Sequence, residues 1–252
     1  MWPDADRPEE FLASSMSFHP YLEITMPTST LTPRTSLDRT IGLTGIVGMV
    51  VLFAATIATA TNEPQLDAGT AEAADFIRSL DTAWVPPVEA VADIGMMVLL
   101  WFMVGLALLL RRYEGDVPVR STMAMMSGVL GAAFVVLNTG YQAGAHRSSE
   151  LDDAQLAFAY DLDQIGFTNL WLPLGTFCFA CGWLVISTAA LPRWLGWWGV
   201  VAGIALGLAQ MVWETGTGWI PYVAFWLWLL TTCVLLVRRP MVRRAPIEAG
   251  SR

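Results

Sequence analysis

Residues 88–110 read VEAVADIGMMVLLWFMVGLALLL, and the only charged side chains in this stretch, Glu89 and Asp93, lie near its start. At 1.5 Å per residue, a helix of this length crosses the ~30 Å hydrocarbon core of a bilayer. The stretch therefore predicts a transmembrane helix.

Five further apolar runs of comparable length accompany this one, and 55% of all residues are apolar while only 14% are charged. The predicted spans cover residues 41–60, 88–110, 119–141, 167–189, 193–213 and 219–237. In lipid, every backbone polar group must be satisfied within the protein, and runs this long fit helices rather than the roughly ten-residue strands of a barrel. We predict an all-α, polytopic bundle of six transmembrane helices with the lipid bilayer as its immediate partner.

The distribution of basic residues predicts the orientation. All 14 are arginines, and with six spans only Arg78 and Arg147 fall on the side opposite the amino terminus. This asymmetry predicts that both termini are cytoplasmic. The net charge of −8 is concentrated in the two large outer loops, so nucleic-acid binding has no support.

The chain divides into three segments by composition. Residues 1–40 carry Pro, Ser, Thr and scattered charges, which predicts a disordered cytoplasmic tail; Met16 and Met26 are alternative starts to Met1. Residues 41–237 form the membrane domain, and residues 238–252 form a basic cytoplasmic tail.

Two segments of the outer loops, residues 71–84 and 149–165, alternate apolar residues and carboxylates at helical spacing. Their predicted apolar faces are Ala74, Phe76, Ile77, Leu80 and Trp84 in the first, and Leu151, Leu156, Phe158, Ala159 and Leu162 in the second. This pattern is typical of short amphipathic helices. We expect them to cap the bundle, with the second running into span four; docking of a partner protein is the alternative.

Glycines recur at helical spacing in spans one and five. They are Gly42, Gly45 and Gly48 in the first, and Gly199, Gly203 and Gly207 in the fifth. Small faces let transmembrane helices approach closely. We expect these contacts within one chain; contact between chains, in a homo-oligomer, is the alternative.

Polar residues inside the spans gather near the predicted outer ends. They are Glu89, Asp93, Asn138, Gln142, Asn169, Gln210, Glu214 and Tyr222. A carboxylate deep in lipid is costly, so Asp93 should face the bundle or water, and Glu89 lies one turn earlier on the same face. Two interpretations stay open: an outward-facing cavity that binds a proton or a small cationic or polar solute, or a hydrogen-bonded layer that joins helix ends.

Signals for catalysis are weak. Cys178 and Cys181 share a helix face, which is compatible with a membrane thiol oxidoreductase, but they lie near mid-bilayer and no outer loop contains a cysteine. We therefore interpret them as packing residues. Only His19 and His146 could supply imidazole, and motifs for nucleophiles, phosphates or dinucleotides are missing, so we predict no metal, no cofactor and no enzymatic activity.

The turn Leu191, Pro192, Arg193, Trp194, Leu195, Gly196, together with the span layout, resembles a family of uncharacterised bacterial six-span integral membrane proteins, a domain of unknown function. The resemblance implies a six-span fold in a bacterial plasma membrane. It supplies no activity and no site residues.

Two functions are compatible with these features. The first is an accessory or sensory membrane protein that acts through its acidic outer surface, with another membrane protein or a second copy as a possible partner. The second is a small-solute or proton-coupled transporter that uses a polar cavity around Asp93. Spans one to three and four to six run in opposite senses, as inverted repeats require.

Overall fold

The computed structural model describes residues 35–59, 63–64, 68–80, 83–215 and 217–238; most of the predicted amino-terminal tail and of the basic carboxy-terminal tail lies outside these ranges. Within them every regular element is helical, which confirms the predicted all-α class. The helices are α1 (Thr35–Thr59), α2 (Thr70–Ser79), α3 (Val85–Arg111), α4 (Val119–Leu137), α5 (Gly140–His146), α6 (Asp153–Asn169), α7 (Trp171–Thr188), α8 (Arg193–Ala209), a 3-10 helix (Gln210–Thr215) and α9 (Trp219–Arg238).

Within the described ranges, six helical stretches are long and apolar enough to cross a membrane, as predicted. They are Ser36–Ala58, Val85–Arg111, Val119–His146, Asp153–Thr188, Arg193–Val212 and Trp219–Arg238. The first begins earlier than expected: residues 35–40, assigned above to the tail, are helical, and the Thr40 hydroxyl donates a 2.9 Å hydrogen bond to the Ser36 carbonyl. A polar first turn thus extends the helix beyond its apolar run.

The six spanning segments pack as a closed ring. Its order is α1, α3, α4, α7, α8 and α9, with α9 returning to α1. The centre is filled by fully buried aromatic side chains, including Phe102, Phe177, Phe225 and Trp228. The Trp228 indole N–H donates a 3.0 Å hydrogen bond to the Leu195 carbonyl, which ties α9 to α8 without leaving a buried donor unpaired.

Glycines allow α1 to approach its neighbours closely. A Cβ added at Gly42 would lie 2.8 Å from the Cys233 carbonyl oxygen of α9, and one added at Gly48 would lie 2.6 Å from the Leu99 nitrogen of α3. Real Cβ atoms do not come so close to backbone. The prediction that these glycines pack within the chain is therefore confirmed.

The α7–α8 contact is built in the same way. A Cβ added at Gly203 would lie 2.5 Å from the Gly175 carbonyl oxygen, and one at Gly199 would lie 3.1 Å from the Cys178 carbonyl oxygen. Gly207 differs, because its added Cβ would lie 3.7 Å from a Leu172 methyl, an ordinary contact. The close approach thus depends on Gly199 and Gly203.

Helices α2 and α5 and residues 153–164 of α6 form a small domain, here called the cap, at the end of the bundle where α1 ends and α3 begins. It has its own apolar core of Ala73, Ala74, Phe76, Ile77, Leu156 and Tyr160. An ion pair between Arg78 and Asp153 joins α2 to α6. The two predicted outer helices therefore exist and pack on each other. We call the end of the bundle that carries the cap the carboxylate-rich end.

The predicted apolar face of α6 is wrong in part. Leu156 is buried, but the side chains of Phe158 and Leu162 are 67% and 51% exposed. The buried face instead consists of Leu156, Tyr160, Gln164 and Thr168. Polar groups can be buried here because they find hydrogen-bond partners across the cap. Trp84 was also misassigned: it lies beyond α2 and is exposed.

The opposite end of the bundle carries Arg111, Arg112, Arg120 and Arg193, and there Glu114 organises the α3–α4 loop. Its carboxylate accepts hydrogen bonds from the backbone amides of Arg120 and Ser121 and from Arg120 Nε, each 3.0 Å long. Burial opposes ionisation of Glu114, but the hydrogen bonds from Ser121 and Arg120 outweigh it and lower its pKa to about 2.

Arg120 links this loop to α7. Its guanidinium donates a 2.6 Å hydrogen bond to the Ser187 hydroxyl and lies 5.6 Å from the centre of the Trp183 ring, within cation–π distance. The start of α4 is thus fixed to the end of α7 by one side chain.

We expect Gly203→Ala to destabilise the bundle by about 1–3 kcal/mol relative to Gly207→Ala, because only the first methyl overpacks the α7–α8 contact. Both variants gain the same helix propensity, so the comparison isolates packing. Equilibrium unfolding in mixed micelles measures the difference. Equal stabilities of the two variants would contradict the assigned contact.

We expect Glu114→Gln to lower the free energy of unfolding at neutral pH by about 1–3 kcal/mol, since charge-assisted hydrogen bonds are lost. The pKa of Glu114 is lower in the folded protein than its ordinary value of 4.5. Its stabilisation is therefore full above that value and is lost as the pH falls towards about 2. The free energy of unfolding, measured against pH, should lose this pH-dependent part in Glu114→Gln. It should keep that part in Asp116→Asn, which replaces an exposed carboxylate of the same loop.

Candidate functional site

The carboxylate of Asp163 organises the carboxylate-rich end. The third span is interrupted after Leu137, and α5 restarts at Gly140. The Tyr141 amide donates a 3.1 Å hydrogen bond to Asp163 Oδ1, and the Gly140 amide also donates to this carboxylate. A carboxylate at a helix N-terminus satisfies free amides and suits the helix dipole. Asp163, on α6, thus caps α5 from another helix.

Local packing makes this capping possible. Asn138, in the interruption, donates a 3.1 Å hydrogen bond from its side-chain amide to the Asp163 carbonyl. A Cβ added at Gly140 would lie 2.7 Å from the Ala159 carbonyl oxygen, and one added at Gly166 would lie 2.1 Å from Asn138 Oδ1. Gly140 is therefore needed for α5 to approach α6, whereas a side chain at position 166 would displace the Asn138 amide.

Glu63, between α1 and α2, joins the same network. Its carboxylate accepts hydrogen bonds from the Tyr141 hydroxyl and from Gln164 Nε2, and Gln164 Nε2 lies 2.6 Å from the Tyr141 oxygen. The Tyr160 hydroxyl donates a 3.0 Å hydrogen bond to the carbonyl of the next residue, Pro64. The chain at residues 63–64 is therefore held against α5 and α6 by side chains buried in the cap.

Glu89 and Asp93 approach this network from α3. Both are half-buried, and the Glu89 carboxylate interacts electrostatically with those of Asp163 and Asp93, while Asp163 interacts in turn with Glu63. Glu89 Oε2 is buried and has no hydrogen-bond partner among the described residues. We call Glu63, Glu89, Asp93 and Asp163 the carboxylate cluster.

The carboxylate cluster lacks a neutralising cation. The ion pairs found in the described part of the chain involve Arg78, Arg120 and Arg147, and none reaches these four carboxylates. Nor does any group of three or more His, Cys, Asp or Glu side chains within the described ranges have the geometry to hold a metal ion. A proton is the smallest species that relieves repulsion between neighbouring carboxylates.

Other predicted site residues lie in separate groups. Asn169 Oδ1 accepts a 2.9 Å hydrogen bond from Gln210 Nε2, which joins the end of α6 to the end of α8. Gln142 is half-buried on α5, and the Glu214 side chain lies outside the described part of the chain. The single layer that we predicted therefore includes at least two distinct hydrogen-bonded groups, and its role in ligand binding stays a prediction.

Tyr222 packs in a cluster of four aromatic rings. The others are Phe167, Trp171 and Trp219, and all six pairs of ring centres lie 5.4–6.3 Å apart. An aromatic cage for a cation must leave room for the ligand between its rings. Here each ring contacts the other three, so the cluster is a filled core that fixes the start of α9 to the α6–α7 junction.

Sequence reasoning missed five residues of the network: Glu63, Tyr141, Tyr160, Asp163 and Gln164. Leu156, Tyr160, Gln164 and Thr168 recur every four residues, so a search for mixed polar and apolar helix faces would have found part of it. Glu63 left no such signal, because its partner Tyr141 is 78 residues away in the chain.

The cysteines lie away from this network. Cys178 and Cys181 of α7 and Cys233 of α9 are free thiols that are fully buried in the bundle core. Because thiolate chemistry needs access and a stabilising environment, this position favours a packing role.

Comparison with known protein families, curated proteins and solved structures finds no match to this chain. The resemblance of residues 191–196 to the uncharacterised bacterial family thus stays a prediction. The geometry alone assigns the class: a multi-pass membrane protein with a partly buried carboxylate cluster at one end of its bundle.

Proposed function

We propose that this chain is a non-enzymatic sensory or accessory protein of the bacterial plasma membrane, oriented with the carboxylate-rich end outside, and that its carboxylate cluster responds to protons. The observation that carries the proposal is that Asp163 both caps α5 and interacts with a neighbouring half-buried carboxylate, Glu89. One group thus links the charge of the cluster to the backbone of the cap.

Proton binding would change the cap through that link. Ionised, Asp163 accepts charge-assisted hydrogen bonds from the α5 amides; protonated, it is a weaker acceptor and the capping interaction loses its charge. Tyr141 is in the first turn of α5 and also binds Glu63, so loosening of α5 would reach the α1–α2 connection. The cap is the part of the described chain that such a change would reorganise.

A surface that changes with external pH suits a partner-binding role. The cap exposes carboxylates on α2 and α6, among them Glu72 and Asp161. A membrane protein or soluble partner with a basic face would complement them.

Asp163→Asn tests the proposal. We expect hydrogen exchange of the α5 amides in the wild-type protein to lose protection as the pH falls from about 7.5 to about 3, because the capping charge is neutralised. In Asp163→Asn the protection should already be reduced at neutral pH and should change little with pH. Protection factors corrected for intrinsic exchange provide the measurement.

Asp161→Asn is the matched control, since it removes an exposed carboxylate from the same helix. It should keep the wild-type response. A wild-type cap whose protection does not change with pH, or an Asp163→Asn cap that still responds, would refute the proposal.

Transport is the second candidate, favoured by one feature of the fold. At the carboxylate-rich end span three is broken at Asn138, and span four keeps its helical path at Leu170 but loses a helix hydrogen bond there; the tight glycine contacts join α1 to α3 and α7 to α8. Equivalent close pairs in two halves of opposite direction, with broken helices beside a polar site, are typical of transporters with inverted repeats.

Proton flux into reconstituted vesicles separates the two candidates. If the chain is a transporter, the wild-type protein should carry protons under an imposed sodium or potassium gradient. Asp93→Asn should abolish this flux. Asp75→Asn, which replaces an exposed carboxylate of α2, should preserve it. A pH-sensitive dye inside the vesicles reports the result. If the chain is a sensor, none of the three proteins should produce flux above that of empty vesicles.

A further inference from the structure

Helix α6 exposes large apolar side chains on the face directed away from the apolar core of the cap. Phe158, Leu162 and Ile165 are 67%, 51% and 47% exposed. Their spacing of four and three residues places them on one side of the helix. We call these three residues the α6 ridge.

The α6 ridge continues into a surface that faces lipid. Leu170, between α6 and α7, has φ −69° and ψ −18°, so the helical path is kept across the junction. The next exposed apolar residues are Leu172 and Trp183, both near half exposed and both at helical spacing from the ridge. They belong to a spanning segment, where exposed side chains contact lipid.

The length of this segment places the ridge outside the hydrocarbon core. Residues Asp153–Thr188 form one spanning stretch of 36 residues. At 1.5 Å per residue this corresponds to ~54 Å, against a hydrocarbon thickness of ~30 Å. The ridge therefore lies near the headgroups, where three exposed large apolar side chains need a cover.

The negative charge beside the α6 ridge argues against a second copy of this chain as the partner that covers the ridge. Asp161 lies beside the ridge, and Asp152 and Asp153 precede it at the start of α6. A symmetric contact would bring these carboxylates close to the same carboxylates of the second copy, and they would repel each other. Zwitterionic headgroups impose no such repulsion, and amphipathic helices commonly bury one face at this depth.

We propose that the α6 ridge is a membrane-contact surface that inserts among lipid headgroups and upper acyl chains, so that the cap rests on the bilayer and the carboxylate cluster lies at headgroup depth. The inference goes beyond the proposed function and does not require it. Its ligand is the lipid surface itself.

Site-directed spin labelling tests this contact. The three native cysteines are fully buried, so a nitroxide reagent should label an introduced cysteine selectively. The variants are Phe158→Cys, Leu162→Cys and Ile165→Cys, each alone, in phosphatidylcholine nanodiscs. Leu172→Cys is the lipid-facing reference and Glu72→Cys, exposed on α2, is the aqueous reference.

Lipid contact predicts that labels at all three ridge positions collide with oxygen more often than the label at position 72, with the label at position 165 closest to that at position 172. It also predicts that they collide with a soluble nickel chelate severalfold less often than the label at position 72. Collision rates equal to those at position 72 would show a water-exposed ridge. Low collision with both reagents, with dipolar broadening between labels, would show a second copy. Either of the last two results overturns the inference.

Discussion

The peptide groups of this chain must find hydrogen-bond partners inside the protein wherever lipid excludes water, and that constraint explains its architecture. Helices satisfy the constraint over most of the six spans. Where the third span is interrupted, side chains replace the missing backbone bonds: Asp163 accepts from the amides that start α5, and Asn138 binds back to the α6 backbone. The polar network is thus a structural necessity of the interruption as well as a candidate site.

The interruption of the fourth span has a comparable cause. Pro173 is buried in the first turn of α7 and has no amide to donate to the Asn169 carbonyl, so α6 ends at Asn169. The Asn169 side chain then binds Gln210 at the end of α8. Both interruptions lie at the end of the bundle where polar partners are available.

The two ends of the bundle differ in the partners that their carboxylates find. Glu114 is surrounded by donors, including the guanidinium of Arg120, and stays ionised down to low pH. The carboxylate cluster has hydroxyl, amide and backbone donors, and none of the ion pairs of the described chain reaches it. One end therefore pairs its carboxylate with an arginine, whereas the other gathers carboxylates that no ion pair of the described residues neutralises.

Much of the fold could be predicted from the sequence because it depends on composition along the chain. Span count and approximate span ends follow from apolar length, and the role of Gly48 and Gly203 follows from the absence of a side chain. The inward face of α6 could not be predicted, because its burial of Tyr160 and Gln164 depends on partners elsewhere in the chain. Glu63 could not be predicted as a site residue for the same reason. The proximity of Glu89 to Asp163 also depends on tertiary structure, because the two residues are far apart in the chain.

The glycine contacts have a mechanical consequence. Backbone touches backbone in the α1–α3 and α7–α8 pairs, so neither pair can slide or rotate internally without collision, and each should behave as a rigid body. Of the two boundaries between the halves, that of α4 with α7 is joined through side chains such as Leu174 against Gly131, which can repack, whereas Gly42 brings α1 close to the α9 backbone. Relative movement of the two halves should therefore meet less resistance along the α4–α7 boundary, and the interrupted third span lies directly beside it.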